Sequence, residues 1–180
     1  MSGISFLSGR IRLARNISDI PFPARMNKDE AREVIDRVWE ALSASALAPK
    51  LKLIKSEEED PIYLASLSEH HLVSPDFLRG NLPRAVVLSE DETISIMINE
   101  EDHIRIQVFG GGTTLSEAFD TADKIDTLLS EKLNIAFHEK FGFLTACPTN
   151  AGTGMRASYM LHLPAITMTN SISFSLLLSL

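Results

Sequence analysis

The chain contains a single cysteine and no long hydrophobic run, and each shortage restricts the classes of protein that it fits. One cysteine cannot form a disulfide within the chain, which excludes a disulfide-stapled secreted scaffold and suits the reducing cytoplasm. No run of about 20 apolar residues is available to cross a bilayer, and the N-terminus lacks the apolar core and cleavage site of a signal peptide. The sequence therefore predicts a cytoplasmic chain without a membrane partner.

Basic residues are also few, since 17 Lys and Arg face 24 Asp and Glu and leave a net charge of −7. A protein that binds nucleic acid without sequence preference needs a surplus of basic side chains, so direct nucleic-acid binding is not expected. Hydrophobic residues make up 44% and charged residues 23%, which supplies a packed core and argues against extended disorder. A length of 180 residues suits one domain.

The order of hydrophobic patterns predicts an α+β fold. Asn27 and Glu30 form the pattern of a capping box, and apolar residues at helical spacing follow it as far as Leu42. Residues 93–99 and 104–109 predict adjacent antiparallel strands joined by a charged hairpin. Further strands are predicted over 63–67, 85–88 and 143–146, a long helix over 115–138, and either a strand or a helix start over 156–163. This order favours an antiparallel sheet over repeated βαβ units.

Four arginines recur beside the other polar features of the sequence. Arg10 and Arg12 are two residues apart, so on a strand both guanidinium groups would point to one face. Arg105 and Arg156 lie next to an acidic segment and a glycine-bearing loop. Each could be a surface charge or an ion-pair partner, whereas together they could clamp a polyphosphate, because each planar fork grips two oxygens.

The segment 99–103 places three carboxylates, Glu100, Glu101 and Asp102, next to one another. Such a run is compatible with a solvated hairpin. It is also compatible with an acidic cluster that binds a cationic substrate and uses one carboxylate as a general base.

Cys147, the loop 152–154 and the pair His70–His71 each allow two interpretations. Cys147 is either a small buried apolar residue or a thiolate held by nearby cations. Gly-Thr-Gly in the loop is a weak phosphate-binding pattern, and neither a Walker A nor a Rossmann motif is present. The histidine pair has a structural or surface role or binds a metal, although no third ligand has a convincing spacing.

Three segments occur in a fixed order: Ser-Gly-Arg-Ile-Arg-Leu-Ala-Arg-Asn at 8–16, Asn-Glu-Glu-Asp-His-Ile-Arg-Ile at 99–106, and Cys-Pro-Thr-Asn-Ala-Gly-Thr-Gly-Met-Arg-Ala-Ser at 147–158. Together they resemble the ATP:guanidino phosphotransferase family. Residues 69–75 and 160–165 are similar to its bacterial branch, the protein arginine kinases. The resemblance implies a twisted antiparallel sheet flanked by helices.

The resemblance also implies roles for individual residues. Glu101 matches the catalytic carboxylate and Cys147 the catalytic thiolate, and both would bind the substrate guanidinium together with Glu100. ATP, carrying Mg²⁺, would be bound by Ser8, Gly9, Arg10, Ile11, Arg12, His71, Arg105, Arg156, Ala157, Ser158, Tyr159 and Met160.

The function implied is transfer of the ATP γ-phosphoryl group to arginine side chains exposed on proteins. The implied partners are stress-response repressors, components of the Clp protease, and a second copy of the chain in a homodimer. Two alternatives stay open: a catalytically dead remnant that binds nucleotide, and a phosphagen kinase acting on a small guanidino compound.

The resemblance covers residues 8–165, and we expect residues 1–165 to be the N-terminal part of a guanidino kinase catalytic domain. Residues 166–180 contain no charge and do not follow the family pattern, so they are interpreted as an aberrant tail. Full-length relatives continue with further strands, which implies that this chain is a truncated, marginally stable and poorly active form.

Overall fold

The computed structural model describes residues 5–110 and 114–162, with side chains for 8–110 and 114–159. The strands are β1 (Ser5–Arg15), β2 (Leu51–Lys55), β3 (Ala85–Ser89), β4 (Ile94–Ile98), β5 (Ile104–Gly110), β6 (Phe137–His138), β7 (Gly142–Phe143) and β8 (Met155–His162). The α-helices are α1 (Lys28–Ser43), α2 (Pro61–Glu69), α3 (Pro75–Leu78) and α4 (Leu115–Lys132). No helix in these ranges is long and apolar enough to cross a membrane.

The main sheet has six strands in the order β2-β3-β4-β5-β1-β8, and every neighbouring pair is antiparallel. The strands β6 and β7 form a separate small hairpin. This architecture confirms the predicted α+β class. It places β1 between β5 and β8, so that Arg12 lies opposite Gln107 on one side and Arg156 on the other.

One face of the main sheet is covered by α1 and α4. The buried side chains of this layer come from both helices and from alternate positions of β1, β3, β4 and β5. Val34 and Val38 of α1 and Ala122 of α4 have no exposed surface, and Ile125 and Leu129 are 1% exposed. The apolar residues at helical spacing in the sequence therefore lie on one face of each helix, and this face packs on the sheet.

Residues 5–110 and 114–162 cover the second face over only part of its width. Leu64 and Leu67 of α2 and Phe77 of α3 pack against Val86 and Met97 of the sheet. This layer explains why β3 and β4 are buried at every position: both of their faces are covered. The same face of β5, β1 and β8 carries arginines instead and is where the candidate site lies.

Several elements confirm the sequence predictions. α1 begins with the predicted capping box, in which the Asn27 side chain accepts from the Glu30 N–H and the Glu30 side chain accepts from the Asn27 N–H. β4 and β5 are the predicted antiparallel neighbours. The ambiguous segment 156–163 is a strand as far as the structure describes it, because β8 extends the sheet beside β1.

The strand predicted over residues 63–67 is wrong, because this segment belongs to helix α2. Asp60 caps the helix by accepting from the Ile62 N–H, and Pro61 occupies the first turn, where a missing N–H costs nothing. Leu64 and Leu67 are three residues apart and share the buried face. The apolar run was too short to distinguish a strand from a helix by its period.

The predicted ends of two other elements are also wrong. α4 ends at Lys132 and not at 138, because Leu133 is extended and the backbone N–H of Ala136 donates to Asn16 O at 2.7 Å. Leu133 and Ala136 are buried in this extended chain. The strand predicted at 143–146 is limited to Gly142–Phe143, and β2 and α3 were not predicted.

A buried ion pair joins β1 to α4. The Arg15 Nε and Nη2 atoms donate to the Asp126 Oδ1 and Oδ2 atoms at 2.9 and 2.7 Å, and the two residues are only 3% and 9% exposed. The Arg15 guanidinium also lies over the ring of Phe143, 3.5 Å from its centre. This bidentate geometry offsets the cost of burying both charges.

Replacing Asp126 with alanine would leave the Arg15 charge buried without its partner. We expect the free energy of unfolding to fall by about 3–5 kcal/mol. Urea unfolding, followed by the fluorescence of the single tryptophan, Trp39, measures the loss. The control is Glu33→Ala, which removes an exposed ion pair with Arg37 and should cost less than about 1 kcal/mol. Equal losses in the two variants would contradict a structural role for the buried pair.

Candidate functional site

A cleft of about 250 Å³ opens on the uncovered part of the sheet. Three of the four predicted arginines line it together with the predicted catalytic carboxylate and thiol. The lining residues are Arg12, Leu13, Ala14, Glu101, Arg105, Cys147, Thr149, Asn150, Gly154 and Arg156. Residues more than 140 positions apart in the sequence thus meet in one place.

Strand register explains how the arginines meet. Arg12 lies opposite Arg156, and Arg10 lies opposite Ser158 on the same strand pair. Arg105 lies opposite Ala14, two residues from Arg12 on the same face of β1. The intervening residues of β1 face the helices, where Ile11 and Leu13 are 2% and 3% exposed.

The arginines repel one another, and burial adds to the cost of their charge. Burial lowers the pKa of Arg12 most, and the charges of Arg10, Arg156 and Arg105 also lower it, so that it falls to about 10. Burial likewise lowers the pKa of Arg10 most, and the charges of Arg156 and Arg105 lower it further. The Nε atom of Arg12 is buried without a hydrogen-bond partner among the described residues. An anion in the cleft would relieve this repulsion.

Arg105 links the arginines of the cleft to residues 99–103, here called the acidic hairpin. Its Nη1 atom lies 2.6 Å from Glu100 Oε2, and its Nη2 atom lies 2.5 Å from Glu101 Oε2. The Ser74 hydroxyl donates to Glu100 Oε1 at 2.6 Å, and the Glu101 N–H donates to Glu100 Oε2 at 3.0 Å. The Glu100 side chain is 3% exposed, whereas that of Glu101 is 43% exposed. Glu101 is therefore the carboxylate that an incoming ligand can reach.

Residues 144–154, here called the Cys147 loop, form one wall of the cleft. The Cys147 Sγ atom lies 2.9 Å from the Thr149 hydroxyl oxygen. At the start of the loop, Asp102 Oδ1 accepts from the Ala146 N–H at 2.7 Å. Asn16 Nδ2 donates to the same Asp102 oxygen at 2.7 Å and to Leu144 O at 3.0 Å.

The end of the Cys147 loop is bonded to β1. The Ala14 N–H donates to Gly154 O at 2.8 Å, and Arg15 Nη1 donates to Thr153 O at 3.1 Å. Gly154 has a φ of +61°, and a Cβ atom there would lie 2.5 Å from Arg15 Nη1 and 2.7 Å from Ala14 O. Only glycine fits this position, because a side chain would collide with fixed groups in a backbone conformation that it disfavours.

Some predicted nucleotide-binding residues lie near the cleft and others face away. Ser8 and Ser158 share the arginine face by strand alternation, and Gly9 is buried in β1. Ile11 and Ala157 pair with each other, so both of their side chains lie on the helix-covered side of the sheet. Tyr159, which pairs with Gly9, lies on this side as well, and Met160 pairs with Ser8, although its side chain is outside the described part.

His71 is not among the residues that line the cleft. It occupies the turn after α2 with a φ of +61°, and its side chain is exposed. Ser74 in the same turn reaches the site through its hydrogen bond to Glu100. No group of three metal-ligating side chains is found among the described residues, which include the pair His70–His71. The predicted uncharged tail, 166–180, lies outside the described residues.

Sequence reasoning missed the buried groups that support the site, namely Arg15, Asn16, Asp102 and Asp126. The sequence placed Asp102 with Glu100 and Glu101 in one acidic run, but the structure gives it no exposed surface and hydrogen-bond partners of its own.

The comparisons with known proteins agree with this geometry. The family model of the ATP:guanido phosphotransferase C-terminal catalytic domain matches residues 33–178. The chain belongs to the ATP:guanido phosphotransferase family. This membership confirms the resemblance inferred from the three sequence segments.

The chain is similar to bacterial proteins named protein-arginine kinase. It is 50% identical over 167 residues to the one from Halothermothrix orenii, covering 93% of this chain and 48% of the relative. It is 46% identical to the one from Caldanaerobacter subterraneus subsp. tengcongensis, covering 93% and 50%. The chain therefore spans about half the length of these relatives.

Solved structures of the family share the fold. A duplicated taurocyamine kinase from Schistosoma mansoni with bound transition state analog components matches with a TM-score of 0.84 and 21% identity, covering 95% of this chain and 25% of that chain. A lombricine kinase matches with a TM-score of 0.79 and 24% identity, covering 93% and 50%. These matches confirm the guanidino kinase sheet and its flanking helices.

A buried histidine at the end of the acidic hairpin makes stability depend on pH. The Nδ1 atom of His103 accepts from the Ile17 N–H, and its Nε2–H donates to Pro21 O, both at 2.9 Å. Burial lowers the pKa of His103 below 6.5, against smaller opposing contributions that include its bond to Pro21 and the charge of Asp102. The folded ring is neutral, and protonation would break its bond with Ile17.

Because the unfolded chain takes up this proton near pH 6.5 and the folded chain only at lower pH, acid favours unfolding. We expect the free energy of unfolding to fall below about pH 6.5, by up to about 1.4 kcal/mol per pH unit. Urea unfolding at a series of pH values measures the slope. His103→Asn keeps an acceptor for Ile17 N–H and should flatten the slope, whereas the exposed His70→Asn should not. A slope unchanged in His103→Asn would contradict the assignment.

Proposed function

We propose that the chain carries the nucleotide-binding and guanidinium-binding part of a protein arginine kinase, which transfers the ATP γ-phosphoryl group to arginine side chains of proteins. The observation that carries the proposal is the meeting of Arg12, Arg105 and Arg156 with Glu101 and Cys147 in one cleft. The name of the bacterial relatives, at 45–50% identity, supports the choice of a protein arginine as acceptor.

Glu101 serves as the base in this proposal. A guanidinium is protonated at neutral pH and is a poor nucleophile, so a carboxylate must orient it and accept a proton. As one guanidinium nitrogen forms its bond to the γ-phosphorus, the bond from that phosphorus to the ADP oxygen breaks, and the proton passes to Glu101. The 2.5 Å contact between Arg105 and Glu101 supports this role, because a guanidinium already lies against this carboxylate.

Cys147 and Glu100 support the acceptor in different ways. Cys147 lines the cleft beside Glu101, where a thiolate would be a second negative partner for the guanidinium. Glu100 is buried and bonded to Arg105, Ser74 and the Glu101 backbone, so it fixes the position of Glu101 and Arg105. Positioning both substrates in line is worth about 7–11 kcal/mol of the reaction barrier.

The arginines serve as the phosphate clamp. Arg10, Arg12 and Arg156 form a crowded positive cluster, and the Nε–H of Arg12 is a buried donor without a partner among the described residues. Phosphate oxygens would neutralise the positive cluster and would accept a hydrogen bond from the Arg12 Nε–H. Since no three-ligand metal cluster exists in the described residues, Mg²⁺ would take its ligands from the phosphates and water, and it would neutralise charge on the transferring oxygens.

The finer expectations drawn from the family resemblance belong to the same proposal. They are a cytoplasmic location, a role in a stress response, contacts with stress-response repressors and Clp protease components, and a homodimer. The chain spans about half of its protein-arginine kinase relatives. Nucleotide binding without turnover is the second candidate function, because the arginines that line the cleft could bind phosphates whether or not transfer follows.

Nucleotide binding is tested by thermal unfolding with and without ATP and Mg²⁺. At a ligand concentration of about 100 times Kd, binding stabilises the folded state by about 2.7 kcal/mol. We expect Arg12→Ala to remove most of this stabilisation. Arg32→Ala is the matched control, since Arg32 is an arginine on α1 with an exposed ion pair, and it should keep the full shift. Equal shifts in the two variants would remove Arg12 from the clamp.

Phosphoryl transfer is tested with γ-labelled ATP and an unfolded protein rich in exposed arginine. We expect acid-labile phosphate on arginine, and we expect Glu101→Gln to reduce it by about 100-fold or more, because an amide cannot accept the proton. Glu92→Gln, on an exposed turn, is the control and should leave transfer unchanged. ATP binding without transfer would favour the remnant, and transfer only to free arginine would favour a phosphagen kinase.

A further inference from the structure

Asp102 is a buried charge that the proposed chemistry does not use. It has no exposed surface. Its Oδ1 atom accepts two hydrogen bonds, from Asn16 Nδ2 and the Ala146 N–H, both at 2.7 Å, while its Oδ2 atom is buried without a partner among the described residues. A buried carboxylate with a bare oxygen destabilises the fold, so its presence calls for another explanation.

The position of Asp102 between two chain segments supplies that explanation. In the sequence it follows Glu101 directly, and through Ala146 it holds the backbone immediately before Cys147. Asn16, at the end of β1, strengthens the link, because its side chain bonds Asp102, Leu144 O and the His103 N–H at the same time. One network therefore fixes the acidic hairpin, the Cys147 loop and the end of β1 to one another.

We propose that Asp102 is a positioning residue that, together with Asn16, holds the Cys147 loop against the acidic hairpin so that Cys147 and Glu101 face one guanidinium. The inference rests on the proposed function, in which these two groups hold the acceptor. The role is geometric: Asp102 acts through the Ala146 N–H, and its own oxygens are buried.

The network explains why the neighbouring carboxylates differ. Each of the three carboxylates has its own set of partners among the described residues. Glu100 is bonded to Arg105 and Ser74, and Asp102 is bonded to Asn16 and Ala146. The Glu101 carboxylate contacts Arg105 Nη2 on the cleft side. The buried carboxylates of Glu100 and Asp102, which flank Glu101 in the sequence, thus fix the hairpin on either side of it. Loss of Asp102 would release the start of the Cys147 loop without removing any side chain that lines the cleft.

The single cysteine allows the position of Cys147 to be measured directly. Iodoacetate and iodoacetamide both alkylate the thiolate, so the ratio of their rates cancels the thiolate fraction and reports the local electrostatic potential. Three arginines, Arg12, Arg105 and Arg156, line the cleft with Cys147, against the two carboxylates Glu100 and Glu101 that contact Arg105, so positive charge is in excess by one. In the folded chain, this excess positive charge should attract the anionic reagent. At low ionic strength we expect the ratio to exceed that of the urea-unfolded chain by about fivefold, the effect of one unit charge about 4 Å away in water.

Three variants of the full 180-residue chain separate positioning from general stability. Asp102→Ala should lower the ratio to near the unfolded value. Asp102→Asn should retain it, because the amide oxygen can still accept from the Ala146 N–H. Leu42→Ala, a fully buried core change in α1, should reduce the melting temperature and leave the ratio unchanged.

If Asp102→Ala does not fold, Ala146→Pro removes the same hydrogen bond from an exposed position and should also lower the ratio. Retention of the wild-type ratio in Asp102→Ala or in a folded Ala146→Pro would overturn the inference, as would its complete loss in Asp102→Asn. A wild-type ratio no higher than that of the unfolded chain would instead count against the cleft on which the proposed function rests.

Discussion

The alternation of side chains along β1 is the constraint on which the rest of this structure depends. Each second residue of this strand must face the helices, and each residue between them must face the open side of the sheet. Ile11 and Leu13 satisfy the first requirement and are buried under α1 and α4. Arg10 and Arg12 consequently face the cleft, so the packing that stabilises the sheet also places the positive groups.

Some arginines on the open side of the sheet are paired with carboxylates and others are not, and the unpaired ones favour anion binding. Arg105 is neutralised by Glu100 and Glu101, and Arg15 is neutralised by Asp126 below the sheet. Burial and mutual repulsion lower the pKa of Arg12 and Arg10, neither of which has a carboxylate partner among the ion pairs of the described residues. The excess positive charge therefore lies on the side of the cleft formed by β1 and β8. The acidic groups lie on the other side, so one cleft can hold an anion and a cation side by side.

The elements whose signals lie close together in the sequence were predicted correctly. The element ends that depend on tertiary contacts were not. The capping box at Asn27 and the paired strands β4 and β5 were predictable, because their signals lie within a few residues. The end of α4 was not, because the bond between Ala136 N–H and Asn16 O replaces the next helical turn. The grouping of the arginines with Glu101 followed from family resemblance, and the register of β1 with β5 and β8 supplies its physical reason. The support from Asn16 and Asp102 could not be predicted, since hydrogen bonds between distant residues leave no local pattern.

The two groups proposed to hold the guanidinium lie on connecting segments, which raises the question of what keeps them in place. Loops carry reactive groups well only where a rigid scaffold fixes them. Here the acidic hairpin is bonded to the end of β1 through Asn16 Oδ1 and the His103 N–H, and the Cys147 loop is bonded to the hairpin through Asp102. Hydrophobic packing could not do this, because both segments border an open polar cleft. Buried hydrogen bonds to a carboxylate can hold the two segments in place. Burying that carboxylate lowers stability, which is a cost that functional sites commonly retain.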